Sequence, residues 1–156
     1  MWSYKLLDHE IYYLFYIFII YSVIGWIYES TLVSVQRRTP VNRGFLTGPV
    51  IPIYGCGALV LYLLIWEHRD NLILVFILGA ISATVLEAVT SWALECLFHT
   101  RLWDYSYLPL NYKGWICLPV SLFWGLLSVL MVFIQPYIQY IIGIIPRRIG
   151  EIIGYI

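Results

Sequence analysis

The chain has 156 residues, of which 62% are hydrophobic and 18% aromatic but only 12% charged, against roughly 25% charged residues in an ordinary soluble domain. Nine basic and nine acidic residues cancel to a net charge of zero, and no basic run stands out, so nucleic acid is excluded as a partner. With a mean hydropathy of +0.82, the composition is that of an integral membrane protein whose first partner is the lipid bilayer.

The opening "MWSYKLLDHE" carries Asp8 and Glu10 and runs into an apolar segment too long for a signal-peptide core, so no cleaved signal is expected. Four apolar segments follow, Ile11–Val35, Gly44–Trp66, Leu72–Phe98 and Gly114–Gln135. Each has the ~20 residues a helix needs to cross the hydrocarbon core. Their connections, "QRRTPVNR", "EHRDN" and "TRLWDYSYLPLNYK", are short and leave no room for a second domain. The expected fold is therefore all-α, a polytopic membrane protein with four transmembrane helices over residues 1–136. Residues 137–156 form an amphipathic, interfacial tail, because Pro146 interrupts the isoleucines and Arg147, Arg148 and Glu151 disfavour a fifth span. Lys and Arg on the side of loops one and three number five, against four on the other side, which leans toward placing those two loops in the cytoplasm. Cys56, Cys96 and Cys117 lack the paired spacing of a zinc or redox site and read as packing thiols.

One block is written twice. "RGFLTGPVIPIYG" from Arg43 returns as "KGWICLPVSLFWG" from Lys113, ungapped at an offset of 70, with Gly44, Pro49, Val50 and Gly55 matching Gly114, Pro119, Val120 and Gly125. Upstream of each copy stands W-x-x-E, as Trp26–Glu29 and Trp92–Glu95. The halves, about 11–66 and 72–135, read as an internal duplication. Two spans per unit would make them parallel repeats, hairpins related by an axis along the membrane normal, with a site at their interface. The proline-bearing entries to spans two and four should be irregular, since proline removes a helix hydrogen bond.

Polarity collects toward loops one and three. On span three, Gly79, Ala83, Glu87, Ser91, Glu95 and His99 recur every four residues, a ridge that begins small and turns polar. Glu87 is its costly member, since an ionised carboxylate near the bilayer centre costs at least ~2.5–3.5 kcal/mol. Glu29 matches Glu95 at the end of span one. Loop one offers Asn42 and Arg43, and loop three offers Arg101, Trp103, Asp104, Tyr105, Asn111 and Lys113. Glu29, Asn42, Arg43, Glu87, Glu95, His99, Trp103, Asp104, Tyr105 and Asn111 are the candidate residues for binding a substrate or ion. Interfacial ion pairs and aromatic anchoring are the plainer explanation of the loop residues. Glu95 and His99 are only two ligands at i, i+4, too few for a metal site, and no metal or cofactor is expected.

The segments "GWIYES", "NRGFLTGPVIPIYG", "LECLFHTRLWDYS" and "NYKGWICLPVSLFWG" resemble the bacterial family of CmpB-like permeases, ABC-transporter type IV, from about Tyr16 to Pro136. By motif position the resemblance brings forward Glu29, Asn42, Arg43, Gly44, Pro49, Pro52, Tyr54, Glu87, Glu95, Trp103, Asp104, Tyr105 and Asn111. It implies a permease in a bacterial plasma membrane, served by a separate ATPase subunit, because no G-x-x-x-x-G-K-[ST] loop occurs in the chain. Four spans are few for a permease, which calls for a homo-oligomer.

Three functions remain open on the residues alone. The first is a permease or transporter component whose carboxylates line a polar site in one leaflet. The second is an intramembrane enzyme on a lipid or lipid-linked substrate, with Glu95, His99 and Asp104 as acid-base groups and Arg43, Arg101 and Lys113 holding an anionic headgroup. The third is a structural accessory subunit. No G-x-S-x-G, H-E-x-x-H or cysteine-centred catalytic pattern is present, so no catalytic residue is assigned.

Overall fold

The computed structural model describes residues 5–6, 9–44 and 48–146. Phe45 and Leu46 of the repeated block, and the tail charges Arg147, Arg148 and Glu151, lie outside the described residues. Three helices of 27 residues are long and apolar enough to cross a membrane: α1 (Ile11–Arg37), α3 (Leu72–Phe98) and α4 (Leu118–Ile144). A shorter helix, α2 (Pro52–Val60), continues into a π-helical turn over Leu61–Ile65 and a 3-10 turn over Trp66–His68. Two-residue ladders precede α1 and α4. In the first, β1 (Lys5–Leu6) pairs antiparallel with β2 (His9–Glu10). In the second, β3 (Asn111–Tyr112) pairs with β4 (Ile116–Cys117), Tyr112 opposite Ile116.

The helix ends have local causes. Asn71 caps α3 by accepting a hydrogen bond from the Leu74 amide at 3.1 Å, a contact worth about 1 kcal/mol. Both α1 and α3 close on a left-handed residue, Arg38 at φ 53° and His99 at φ 49°, whose amides turn back to Val35 and Glu95. The expected second span, Gly44–Trp66, is corrected. Pro49 and Pro52 restrict the residues before them and supply no amide donor, so helix begins only at Pro52, the first helical position that proline favours. The helical run from Pro52 to His68 is divided among α, π and 3-10 geometry and is not one of the three long helices. Span four is corrected as well, since α4 runs through Pro136 to Ile144. Its buried positions, Gly125, Ser128, Met131, Gln135, Ile138 and Ile142, keep one helical face across the proline.

The chain divides into two compact units, Met1–Leu59 with Ile134–Ile156, and Val60–Phe133. In the first, α1 and α2 meet at glycines. A Cβ on Gly55 would lie 2.6 Å from Phe18 Cδ2 and strike Ser22 Oγ, and one on Gly25 would strike the Tyr54 ring. Small residues let helix backbones approach closely where hydrophobic burial cannot drive association. The same unit buries Gln135 completely, between Tyr21, whose hydroxyl donates to Gln135 Oε1 at 2.9 Å, and the Tyr13 hydroxyl at 3.5 Å. In the second unit α3 meets α4 through Gly125, whose Cβ would lie 2.8 Å from Phe76 Cε2, and through a 2.7 Å hydrogen bond from Thr84 to Ser121. The opposite face of α3 is an exposed aliphatic stripe of Ile73, Ile77, Ile81, Val85 and Val89, the face lipid should cover.

Loops one and three do not stay at the helix ends. Loop one descends along α1, touching every fourth residue. The Val41 amide donates to Ser34 Oγ at 2.9 Å and the Arg43 amide to Ser30 Oγ at 3.1 Å. Trp26 Nε1 donates to Asn42 Oδ1 at 2.6 Å, and the Ile51 amide reaches the Ser22 carbonyl at 3.0 Å. Ser22 lies about 22 Å of helix rise below the end of α1. Loop three descends along α3 in the same manner, since α4 begins only three residues before the Ser121 that pairs with Thr84. Each following helix therefore starts deep.

The glycine contact makes a sharp test. Gly55→Ala should lower thermal stability in detergent by about 1–3 kcal/mol through overpacking. Gly143→Ala has nothing within 4 Å of the new methyl, and should be neutral or stabilise by up to ~1 kcal/mol through helix propensity. Melting of the two purified variants checks both.

Candidate functional site

In the first unit, Glu29 lies on α1 two turns above the last loop contact with Ser22. The Tyr54 hydroxyl of α2 donates to Glu29 Oε1 at 2.9 Å, and Arg43 Nε stands 3.9 Å from Oε2. Asn42 holds its place by accepting from Trp26 and from the Gly44 amide, the latter at 2.9 Å. Glu29, Asn42 and Arg43 are thus one cluster, half-exposed and centred on an ion pair. A pair so exposed is worth little by itself, about 0–1 kcal/mol. Its geometry is set by Tyr54 and by the serine ridge beneath the loop.

Glu87 is the deep carboxylate of the second unit, 2% exposed in a helix whose span has a mean hydropathy of 2.5. Tyr105 from loop three donates its hydroxyl to Oε1 at 2.9 Å, and Trp124 of α4 donates Nε1 to Oε2 at 3.3 Å. Both oxygens thus accept a hydrogen bond, which offsets part of the cost of taking a carboxylate out of water. Tyr54 and Trp124 occupy the same place in the repeated block, yet one reaches Glu29 and the other Glu87.

Nearer the end of α3, Glu95 accepts from Trp115 Nε1 at 2.6 Å and from Arg101 Nη2 at 2.9 Å. Arg101 also stands 4.0 Å from Asp104 Oδ1 and donates to the Lys113 carbonyl at 3.5 Å. Lys113 Nζ lies 4.9 Å above the Trp115 ring, within cation–π range. Glu95 strengthens the hold of Arg101 on its proton, first through their hydrogen bond and then through charge, and raises its pKa. Asp104 is held below the usual carboxylate value by the Ser106 amide and side chain, with Arg101 adding to the effect. Trp103 Nε1 donates to the Trp115 carbonyl at 3.0 Å. Asn111 ties the loop by donating to the Leu108 carbonyl at 2.7 Å and accepting from the Gly114 amide at 3.3 Å. Gly114 is required there: its φ is +72°, and a Cβ would strike Asp104.

Glu95, Trp103, Asp104 and Asn111 therefore gather in loop three with Glu87 and Tyr105 below them. His99 is spent differently, as the exposed left-handed residue that ends α3. Among the described residues no group of three or more His, Cys, Asp or Glu could hold a metal ion. Residues that sequence reasoning passed over include Ser22, Ser30 and Ser34, the ridge that receives loop one, and Trp115, which together with Arg101 fixes Glu95. A spacing of four on α1 marks the serines, but serine is also a common packing residue in membrane helices.

Three long apolar helices, with polar loops folded against intrahelical carboxylates, define an integral membrane protein of all-helical class. The family model described as "putative ABC-transporter type IV" (ABC_trans_CmpB) matches residues 16–156, and the chain belongs to that family. The match continues past Pro136 to the last residue, farther than the motifs alone reach. No curated protein and no solved structure matches the chain.

The lowered Asp104 value sets a pH expectation. A carboxylate held below its ordinary value of 3.8 stabilises the fold fully above that value and loses this contribution as pH falls through its lower folded value. Tryptophan fluorescence from Trp103 and Trp115 should therefore hold steady down to about pH 4 and change below it. In Asp104→Asn the acid-side contribution of this residue should vanish, and a variant already altered at neutral pH should titrate less.

Proposed function

We propose that the chain is the membrane-embedded component of an ABC-type transporter, with Glu87, Glu95 and their loop partners lining a polar path for a cation or polar substrate in one unit, and Glu29, Asn42 and Arg43 forming the polar cluster of the other. The observation that carries this reading is Glu87, a carboxylate almost fully enclosed in the most apolar helix and contacted by a residue from a polar loop. Intramembrane acids are expensive and mark substrate or ion pathways by default. Loops folded down along α1 and α3 fit the same reading, because irregular backbone at membrane depth is tolerated where it is buried in protein or lines a wet cavity. ATP would be hydrolysed by a separate subunit, as the family description and the missing phosphate-binding loop together imply. The block repeated at an offset of 70 supports an origin by duplication into two parallel hairpins, and self-association in a bacterial plasma membrane completes the proposal.

The lipid-enzyme reading is weaker. An anionic headgroup at Arg101 would have to displace Glu95 at 2.9 Å and Asp104 at 4.0 Å. The accessory-subunit reading leaves the enclosure of Glu87 as a packing device.

Purification in mild detergent should bring down a nucleotide-binding subunit in stoichiometric amount. ATP hydrolysis by that complex in proteoliposomes should fall roughly tenfold in Glu87→Gln, as expected for losing hydrogen bonds to a charged group, while the melting temperature stays within a few degrees of the parent. A retained lipid headgroup with no ATPase would replace this reading with lipid chemistry. Unchanged hydrolysis together with a lowered melting temperature would assign Glu87 to packing.

A further inference from the structure

Glu87 lies about 16 Å of helix rise below the end of α3. A helix of 27 residues is about 40 Å long, and the hydrocarbon core is about 30 Å thick. Even if the whole excess projected beyond the membrane at that end, Glu87 would remain about 6 Å inside the hydrocarbon. The Tyr105 hydroxyl meets it there, so the backbone of loop three around Asp104–Ser106 also descends toward that depth. Cys117, at the far end of the loop, is 2% exposed and leads directly into α4 at the level of Thr84 and Glu87.

The loop is built to survive such a position. Several of its backbone groups find partners within the loop, the arrangement that hydrocarbon favours. The Tyr105 amide donates to the Gly114 carbonyl at 2.9 Å, the Leu108 amide to the Tyr105 carbonyl at 2.9 Å, and the Leu118 amide to the Leu110 carbonyl at 3.2 Å. The Ser106 amide donates to Asp104 Oδ1 at 2.9 Å, and the Asn111 amide group closes the centre. The segment is thus a pre-formed body, joined to α3 by side-chain bonds at Glu87 and Glu95, preceded by a left-handed residue at His99 and turned within by positive φ at Leu110, Lys113 and Gly114. Tyr107 and Leu110 lie on its outside at 79% and 75% exposure.

We propose that the segment from Arg101 to Cys117 is a re-entrant plug that closes the aqueous route to Glu87, with the Tyr105 hydroxyl as its catch. A proton or small cation reaches the carboxylate when the plug lifts. The class of ligand follows from the charges above Glu87: in the closed state Arg101 is paired with Glu95 of α3 and with Asp104 of its own segment. Lifting the plug carries Arg101 and Asp104 away together, parts Arg101 from Glu95 and leaves that carboxylate on the approach to Glu87. The inference rests on the reading of Glu87 as a transport carboxylate and adds its gating.

The test is labelling of the full-length protein in proteoliposomes with a water-soluble carbodiimide and glycine methyl ester at fixed pH, read residue by residue by mass spectrometry. Glu67 in the 3-10 turn and Asp70 just before α3, both exposed, serve as internal references. In the parent, Glu87 should react far more slowly than either. Tyr105→Phe keeps the ring and removes the catch, and should speed labelling of Glu87 about tenfold, the effect of losing one hydrogen bond to a charged acceptor. Trp124→Phe removes a donor supplied by α4 and leaves the plug in place, so its rate should stay within about twofold of the parent by the same reasoning. Equal rates in the parent and Tyr105→Phe would overturn the plug. So would an equal rise in Trp124→Phe, reactivity of parental Glu87 matching Glu67, or no labelling of Glu87 in any variant. Retained hydrolysis in Glu87→Gln alongside the expected labelling pattern would instead remove the transport reading and leave the plug standing.

Discussion

Hydrocarbon offers no hydrogen bonds, so any backbone that leaves helical geometry inside a membrane must find partners in the protein itself. Loops one and three meet this condition in different ways. Loop one borrows partners from α1, whose Ser34 and Ser30 hydroxyls, one turn apart, and Ser22 carbonyl, two turns further down, accept its amides. Loop three supplies most of its own, through Asp104, Asn111 and Gly114. Once the loops can lie against the helices, the starts of α2 and α4 are displaced inward. The polar side chains the loops carry are then delivered to Glu29, Glu87 and Glu95.

The three carboxylates share a pattern of partners while differing in depth. Each accepts from at least one aromatic donor, Tyr54 for Glu29, Tyr105 and Trp124 for Glu87, Trp115 for Glu95. A phenol or indole brings a hydrogen-bond donor at the end of an apolar body, which is the side-chain design that suits a boundary between lipid and a polar group. The shallower acids, Glu29 and Glu95, add an arginine at 3.9 and 2.9 Å. The packing of each helix pair rests on glycine and serine where these side chains need the backbones close.

Much of this was legible in the sequence, and the failures share a cause. Leu72–Phe98 was read to the residue, because Asn71 and the apolar run define it from both sides. The ridge on that helix was also visible, with Gly79, Glu87 and Ser91 buried and Ala83 and Glu95 half-buried; only His99 leaves it, turned out by its left-handed backbone. Hydropathy set the start of the second span too early at Gly44, since Pro49 and Pro52 delay the helix to Pro52. It also ended α4 too early at Pro136, since a proline in a membrane helix is tolerated when neighbouring groups satisfy the freed carbonyl. Apolar composition reports where a segment resides, while proline position decides what shape it takes there. Arg101 and Trp115 were missed as partners of Glu95 because their approach depends on the fold of a loop, which no periodicity encodes.

The turn after the π-helical segment has a consequence for the protein's setting in the bilayer. Arg69 stacks on Trp66 at 5.3 Å, a cation on an indole at the place where aromatic residues anchor to lipid headgroups. With the start of α3 anchored in this way at one surface, its ~10 Å of excess length over the hydrocarbon would emerge at the other. Hydrophobic mismatch is therefore concentrated at the end bearing Glu95 and loop three. A thicker bilayer would draw that end inward and a thinner one would release it, each at a fraction of a kcal/mol per Å. Lipid chain length thereby becomes a variable that sets how far Glu87 stands from water.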